Sequence, residues 1–471
     1  MIAHAPSRST TKGFPAYLSW NALFVAVLLT LMFVPARRYT LSSVLPFELE
    51  PYRAVLAVVF LAWLGSALID PRVRLRHTPF DRPIAVLVVL AAVSLAANPG
   101  RAHAVAPYLT KQLAFFAAVL ILVYFIASVA GGKVRTVELA AKILVFAGVL
   151  LSLEGIFESR TGVNLFGSLD RIIPILQQAN VYAVSTSTDS RGAEGRAFGA
   201  SQHPIEFGAV LVMLLPLAFA LAGATKQRRW WLAVALIVPG TMAALSRTAV
   251  PMLVAAIIMG VWTRRREMRR LWPALIPLVV IIHFTVPGAM GSLAKSFFPQ
   301  GGLIADQQQG VGSGRVATLG PVLRHEFTIN PIIGEGFSTR VTTESDPTLP
   351  RNAPILDDQW LDVLLEIGIL GFVTMIWLFF RVIRLCGRAA RRDYSRRGWL
   401  LSGVTSSIAA FMIGMLTFDA FAFVQVTLLF SILIGLGAAL LMDPPPEEEP
   451  ILAAESRAPQ HVLATIRAVV P

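Results

Sequence analysis

The sequence predicts an all-α membrane protein that crosses the bilayer many times. The chain has 471 residues, of which 55% are hydrophobic and only 15% are charged, and its mean hydropathy is +0.66. Soluble domains carry about 25% charged residues on average. Because the hydrocarbon core offers no water to an open backbone, each crossing needs a helix of about 20 apolar residues. By that criterion the chain contains about twelve spans.

The expected spans follow one another with little sequence between most of them. They run over 18–35, 51–69, 83–97, 112–130, 137–157, 203–222, 230–245, 248–263, 271–287, 357–380, 399–418 and 421–442. The third, seventh and eighth are short, so a re-entrant or tilted segment among them stays open. The transmembrane part thus covers 18–442, between an N-terminal tail at 1–17 and a C-terminal tail at 443–471. The C-terminal tail contains PPPEEEP at 444–450, which predicts a disordered or surface-bound segment.

The net charge of +13 reflects topology rather than nucleic-acid binding. Cytoplasmic loops of membrane proteins are enriched in Lys and Arg, and the basic clusters of this chain all follow even-numbered spans. These clusters lie at 72–82, 133–135, 226–229, 264–270 and 381–397. Both termini are therefore expected in the cytoplasm. Arg37 and Arg38 depart mildly from the pattern, with Glu48 and Glu50 close by.

Two loops on the opposite side stand out by length, at 158–202 and 288–356. Long loops in compact proteins usually carry function. The second loop contains GVGSGR, then an apolar-periodic stretch at 316–327 that predicts a short helix, then NPIIGEGF. It also carries Arg315, Arg324, Arg340 and Arg351. Arginines are scarce outside the cytoplasm and bind phosphate bidentately, so they indicate an anionic ligand. The glycines alone are a weak phosphate-loop signal, because no Gly-Lys-Ser/Thr follows them.

Several short motifs follow one another between residues 196 and 371. They are Arg196-x-x-Gly199 with His203-Pro204 at the head of a span, Ser246-Arg247 between two spans, Ser313-Gly314-Arg315, Asn330-Pro331 with Gly334-x-Gly336, and DDQWLxxxLExGxxG from Asp357 to Gly371. In this order and membrane placement the chain resembles the O-antigen ligase/polymerase superfamily, which are inner-membrane glycosyltransferases. The resemblance implies a fold like that of the C-type glycosyltransferases, with a long periplasmic loop that contains short helices.

The resemblance also implies a reaction at the periplasmic face of the bacterial inner membrane. A glycan is transferred from an undecaprenyl-diphosphate carrier to a hydroxyl of a glycan or lipid-linked acceptor, with no metal or other cofactor. Fixed cations near the departing diphosphate oxygen would lower the barrier. The expected partners are membrane lipids and polysaccharide-assembly proteins, and no nucleic acid. Carried over from the family, Arg196, Arg247 and Arg315 with His203 bind the diphosphate, and Arg351, Arg324 and Trp360 are further candidates for glycan or phosphate contact.

Acidic residues of the last motif are the candidates for catalysis. Ligases of the family present a His-Asn pair nine residues before the glutamate, and the count from Glu366 reaches Asp357 and Asp358 here. A carboxylate can accept a proton, so Asp357 is the candidate general base and Asp358 would orient it or bind sugar. Both aspartates suit a helix N-terminus equally, and Glu366 suits a structural ion pair. His203 before Pro204 suits helix entry.

The missing histidine and the Asp-Asp-Gln-Trp form favour a polymerase of exopolysaccharide or O-antigen over a ligase. The alternative is a lipid-linked oligosaccharide flippase or a secondary transporter, which would also show about twelve spans. Such proteins often contain repeated halves and concentrate charge near the bilayer midplane. In this chain the candidate residues instead gather at one face and in one long loop, which favours surface chemistry.

Overall fold

The computed structural model describes residues 19–41, 49–70, 73, 75–179, 190–191, 194–270, 273, 280, 284, 322–342, 352–353 and 356–442. This part of the chain is about 75% helical with almost no sheet, and most of its buried apolar side chains form one large core. The prediction of an all-α, multi-pass membrane protein is confirmed.

The helices of the described ranges are numbered in chain order. They are α1 (Trp20–Phe33), α2 (Pro51–Ile69), α3 (Asp81–Ala97), α4 (Pro99–Ala104), α5 (Ala106–Ala130), α6 (Val134–Thr161), α7 (Pro204–Thr225), α8 (Arg228–Ala243), α9 (Ala249–Thr263), α10 (Arg265–Arg270), α11 (Gln359–Arg392), α12 (Arg396–Gly414) and α13 (Val424–Leu441). Short 3₁₀ helices cover Leu165–Arg171 and Ala420–Ala422. Two short antiparallel pairs join β1 (Tyr39–Leu41) to β2 (Leu176–Gln178) and β3 (Ser190–Arg191) to β4 (Glu194–Gly195).

Six of these helices are long and apolar enough to cross a membrane: α2, α5, α6, α7, α11 and α13. Helices α1 and α9 are apolar but shorter. Helices α3, α8 and α12 coincide with further predicted spans without reaching the same length and hydropathy. Most of the predicted span at 271–287 lies outside the described residues. The expected number of about twelve crossings therefore stays a prediction.

Helices α7, α12 and α13 are largely buried and form the centre of the bundle, where α12 packs along α7 and also contacts α13. Close approach is possible because small residues face the neighbouring helices, as is usual in membranes. A Cβ atom placed on Gly403 of α12 would lie 2.9 Å from the Cβ of Ala220 in α7. Between α12 and α13, the rings of Phe411 and Phe430 stack with their centroids 4.4 Å apart.

Helix α11 is interrupted at Gly368, where φ is 70° and ψ is −170°. The segment 331–336 lies against this break and pairs with the backbone groups that the break leaves free. Glu335 N–H donates to Leu365 O at 2.8 Å, and Ile369 N–H donates to Pro331 O at 2.9 Å. Irregular backbone is tolerated within a membrane protein when other protein groups satisfy it. The sequence predicted one continuous span at 357–380, so the interruption is a new finding.

The connections that carry the basic clusters come together at one end of the bundle, which we call the basic end. Gly132 after α5 donates its N–H to Ala439 O near the end of α13, at 3.3 Å. Arg76 and Arg397 bind backbone oxygens of the same neighbourhood, Gly131 O at 3.1 Å and Leu440 O at 2.8 Å. Connections that follow even-numbered spans of the sequence prediction are thus neighbours in space.

Candidate functional site

A cavity of about 1160 Å³ lies at the end of the bundle away from the basic end, and we call it the main cavity. Its lining comes from the connections after α1, α6 and α12, from the segment 337–342, and from α3, α5, α6, α7, α11 and α13. The ends of many elements therefore meet at one site.

The main cavity has a charged part and an apolar part. The charged and imidazole side chains among its lining residues are Arg37, Arg38, Glu158, Arg196, His203, Arg340, Asp357, Asp362, Glu366 and Asp419. Deeper in the bundle the lining is apolar, with Val123 of α5, Leu378 of α11 and Ile434 of α13. Along α5 the lining runs from Tyr108 to Val123, which is about 22 Å at 1.5 Å per residue.

Arg196 enters the cavity from a loop that is fixed by backbone hydrogen bonds. Its guanidinium Nε donates to Ala244 O at 3.3 Å, and the next residue, Ala197, donates its N–H to Ala243 O at 3.1 Å. The side chain is 9% exposed. The loop after α6 is thereby attached to the connection between α8 and α9.

Glu158 of α6 holds the other side of the same loop. Its Oε2 accepts the N–H groups of Phe198 at 3.0 Å and Gly199 at 2.9 Å. Asn164 donates to Glu158 Oε1 at 3.0 Å and to Gly199 O at 2.9 Å. Gly199 has φ +54°, and a Cβ atom there would lie 2.8 Å from the ring of Phe207. The Arg196-x-x-Gly199 motif is therefore a tightly held turn in which glycine is required.

His203 lines the cavity and caps α7. Its Nδ1 accepts the N–H of Ile205 at 3.2 Å, so the proton of the neutral ring is on Nε2. The imidazole lies 6.0 Å from the ring of Phe423. The helix-entry role that the sequence left open is present, and the ring also faces the cavity.

The adjacent aspartates before α11 have different environments. Asp358 caps the helix, because its Oδ1 accepts the N–H groups of Trp360 at 3.0 Å and Leu361 at 3.2 Å. Asp357 lines the main cavity in a left-handed backbone conformation, with φ 51°. Of the pair, Asp357 is the one that the cavity lining includes.

Arg340 joins the long loop to α11. Its Nε binds Asp362 Oδ1 at 3.2 Å and its Nη1 binds Glu326 Oε2 at 2.5 Å. Burial alone would lower the pKa of Arg340, but the charges of Asp362 and Glu326 raise it above the ordinary value. The guanidinium is therefore charged, and it compensates the acidic side of the cavity where Glu366 also lies.

Asp419 lies in the connection between α12 and α13 and lines the main cavity. Burial, followed by the nearby carboxylates of Asp362 and Glu366, raises the pKa of Asp419 well above its ordinary value. The sequence assigned no role to this residue. An acidic residue between two closely spaced spans was the available signal.

Other predicted site residues lie elsewhere in the described structure. Trp360 is buried, donates Nε1–H to Met412 O at 3.0 Å and packs on Phe379, so it belongs to the core. Arg324 is exposed, and Arg247 is half-buried in the connection between α8 and α9. Neither arginine is among the residues that line the main cavity. The predictions for Arg315 and Arg351 concern positions outside the described residues.

The main cavity also contains cations that sequence reasoning did not place there. Arg37 and Arg38 line it, and Tyr39 next to them is held by Phe166 O, to which its hydroxyl donates at 2.7 Å. The available signal was their departure from the alternation of basic loops.

Comparison with models of protein families gives no match, and neither does comparison with curated proteins. Within the described residues, no group of three or more His, Cys, Asp or Glu side chains is arranged to hold a metal ion.

Proposed function

We propose that this protein is a membrane glycosyltransferase that polymerises undecaprenyl-diphosphate-linked glycan units into an exopolysaccharide or O-antigen. The observation that carries the proposal is the form of the main cavity, in which a charged part continues into an apolar part and the whole lining runs about 22 Å along α5. A lipid with a charged headgroup and a sugar matches this arrangement, because its headgroup and sugar fit the charged part and its hydrocarbon chain fits the apolar part. The motif order from Arg196 to Gly371, which resembles the O-antigen ligase/polymerase superfamily, supports the same substrate.

The chemistry proposed for the cavity is a single displacement. The acceptor hydroxyl gives its proton to a carboxylate as its oxygen bonds to the anomeric carbon, and the bond from that carbon to the diphosphate oxygen breaks. Asp357, which faces the cavity, is the proposed base. Arg196 is the proposed stabiliser of the negative charge that grows on the leaving diphosphate.

The proposed orientation follows from the basic residues. The basic end lies in the cytoplasm and the main cavity opens to the periplasm, with both termini inside. About twelve spans and a fold like that of the C-type glycosyltransferases belong to the same proposal.

Reconstitution in liposomes tests this function. The purified protein is supplied with an undecaprenyl-diphosphate-linked repeat unit, and the release of carrier diphosphate and the length of the glycan are measured. We expect release coupled to chain growth, and we expect Arg196→Ala to abolish both. Arg265→Ala is the matched control, because this exposed arginine of α10 belongs to the basic cluster at 264–270 and does not line the cavity. A flippase or transporter would move the lipid across the bilayer without releasing the carrier, and that result would replace the proposal.

A further inference from the structure

The turn that leaves α1 contains a strained cationic residue. Arg37 has φ 61°, in the left-handed region that side chains with a Cβ rarely adopt. Such conformations persist only where the surrounding structure enforces them, and they concentrate at ligand sites. Arg37 is also one of the residues that line the main cavity.

Glu50 enforces this conformation from the start of α2. Its Oε2 accepts the backbone N–H of Arg37 at 2.7 Å, and its Oε1 binds the Nη2 of Arg53 at 2.9 Å. Glu50 is 9% exposed and occupies the N-cap position of α2, but its side chain makes no capping bond to the N–H groups of that helix. Its carboxylate instead links the backbone of the turn at Arg37 to the Arg53 side chain of α2.

The residues that follow Arg37 are fixed to the loop after α6. Arg38 O accepts the N–H of Ala179 at 3.0 Å, and Tyr39 pairs with Gln178 in the β1–β2 pair. The Tyr39 hydroxyl also accepts the N–H of Leu169 at 3.1 Å. The turn is thus held by hydrogen bonds on both sides of Arg37.

We infer that Arg37 is a further binding residue for the diphosphate of the lipid substrate, and that Glu50 positions it. The inference rests on the proposed function for the identity of the ligand. Arg196 and His203 reach the cavity from the connection after α6, whereas Arg37 reaches it from the connection after α1. A diphosphate carries more than one negative charge, and guanidinium groups from separate elements can bind it from separate sides. The strained conformation of the turn would then serve to position the Arg37 guanidinium for the diphosphate.

Binding of undecaprenyl diphosphate to the purified full-length protein in detergent tests the inference. The key variant is Arg37→Gly, because glycine adopts the left-handed conformation freely while the cationic side chain is removed. We expect its affinity to fall at least tenfold while its thermal stability is kept or raised. Arg37→Lys should bind with intermediate affinity, because the ammonium group keeps the charge without the bidentate geometry.

Lys226→Gly is the matched control. Lys226 is also basic and left-handed, with φ 56°, but it ends α7 in a connection that carries one of the basic clusters and does not line the main cavity. This variant should bind undecaprenyl diphosphate like the wild type. Undecaprenyl monophosphate and inorganic pyrophosphate are the comparison ligands. We expect Arg37→Gly to lose less affinity for the monophosphate, and we expect wild-type protein to bind pyrophosphate more weakly than the lipid.

The role of Glu50 is tested by a double-mutant cycle. If Glu50 acts by positioning Arg37, Glu50→Ala weakens binding in the wild type but has little further effect in Arg37→Gly. Wild-type affinity in Arg37→Gly, or equal effects of Glu50→Ala in both backgrounds, would overturn the inference and leave the proposed function standing. Failure of the wild type itself to bind undecaprenyl diphosphate would remove the proposed function, and the role of Arg37 with it.

Discussion

Glu158 holds Gly199 from two directions. Its Oε2 accepts the Gly199 N–H at 2.9 Å, and Asn164, which its Oε1 binds at 3.0 Å, donates to Gly199 O at 2.9 Å. The turn that carries Arg196 into the main cavity therefore depends on a carboxylate of a neighbouring helix.

Replacement of this carboxylate should displace Arg196. Glu158→Ala leaves the N–H groups of Phe198 and Gly199 without an acceptor, which should cost about 2 kcal/mol of folding free energy. We also expect weaker donor binding, measured as affinity for undecaprenyl diphosphate in detergent. Ser159→Ala is the control, because among the described residues its hydroxyl bonds within α6, to Ile156 O at 2.8 Å. Equal affinity for undecaprenyl diphosphate in both variants would show that Glu158 is not needed to position Arg196.

The break in α11 should tolerate no side chain at the glycines that form it. A Cβ atom on Gly368 would overlap the carbonyl carbon of Ile332, and one on Gly334 would overlap that of Glu366. Gly368→Ala and Gly334→Ala should each lose at least about 2 kcal/mol of stability, through strain at positive φ and overlap with backbone. Thermal unfolding in detergent measures this. Gly65→Ala in α2 meets no atom within 4 Å and should be neutral or stabilising.

The pH dependence of stability should differ in sign between two aspartates. The raised pKa of Asp419 means that the folded state binds its proton more tightly than the unfolded state does. The stability that this proton contributes is complete below the unfolded pKa, about 3.9, and is lost as pH rises through the folded pKa. Asp419→Asn should therefore raise the melting temperature at neutral pH and have little effect near pH 4.

Asp393, in the connection between α11 and α12, provides the opposite case. Burial alone would raise its pKa, but hydrogen bonds from Ser395 and Arg397 lower it below the ordinary value. Its contribution is present above the unfolded pKa and is lost as pH falls through the folded pKa. Asp393→Asn should lower the melting temperature at neutral pH, and this difference should shrink on acidification. If both variants changed the melting temperature at neutral pH in the same direction, the opposite pKa shifts inferred for Asp419 and Asp393 would be wrong.

The motif order and the cavity geometry lead to different predictions for Arg247. The motif order predicts a diphosphate contact, whereas the main cavity lining includes Arg196 and not Arg247. On the geometry we expect Arg196→Ala to lose at least tenfold in affinity for undecaprenyl diphosphate, and Arg247→Ala to stay within about twofold, since interactions outside a site contribute little to binding. Titration of both variants under the same conditions measures this. A large loss in Arg247→Ala would favour the motif over the cavity.

Local sequence patterns predicted the helices well, because a long apolar run can satisfy its own backbone within a bilayer only as a helix. The break at Gly368 was not predictable in this way. The run 357–380 is apolar over most of its length, and the interruption depends on segment 331–336, which is distant in sequence. Composition does not record such tertiary pairing.

The residues of the site likewise fall into those that the sequence motifs identify and those that depend on tertiary contacts. The sequence motifs include Arg196, His203, Asp357 and Glu366, and all four residues line the main cavity. The motifs could not place Arg37, because its contribution depends on Glu50 and on the β1–β2 pairing. Trp360 does not line the main cavity and its indole donates to Met412 O inside the core, so a glycan contact by this residue stays a prediction.

The pairing of segment 331–336 with α11 limits how the extramembrane region can move. If this stretch detached, N–H and C=O groups on both sides of Gly368 would lose their partners within a spanning helix, at a cost of several kcal/mol per group in hydrocarbon. It therefore folds and unfolds together with the bundle. Under the proposed function, any opening of the long loop that admits a growing glycan must pivot at residues other than these.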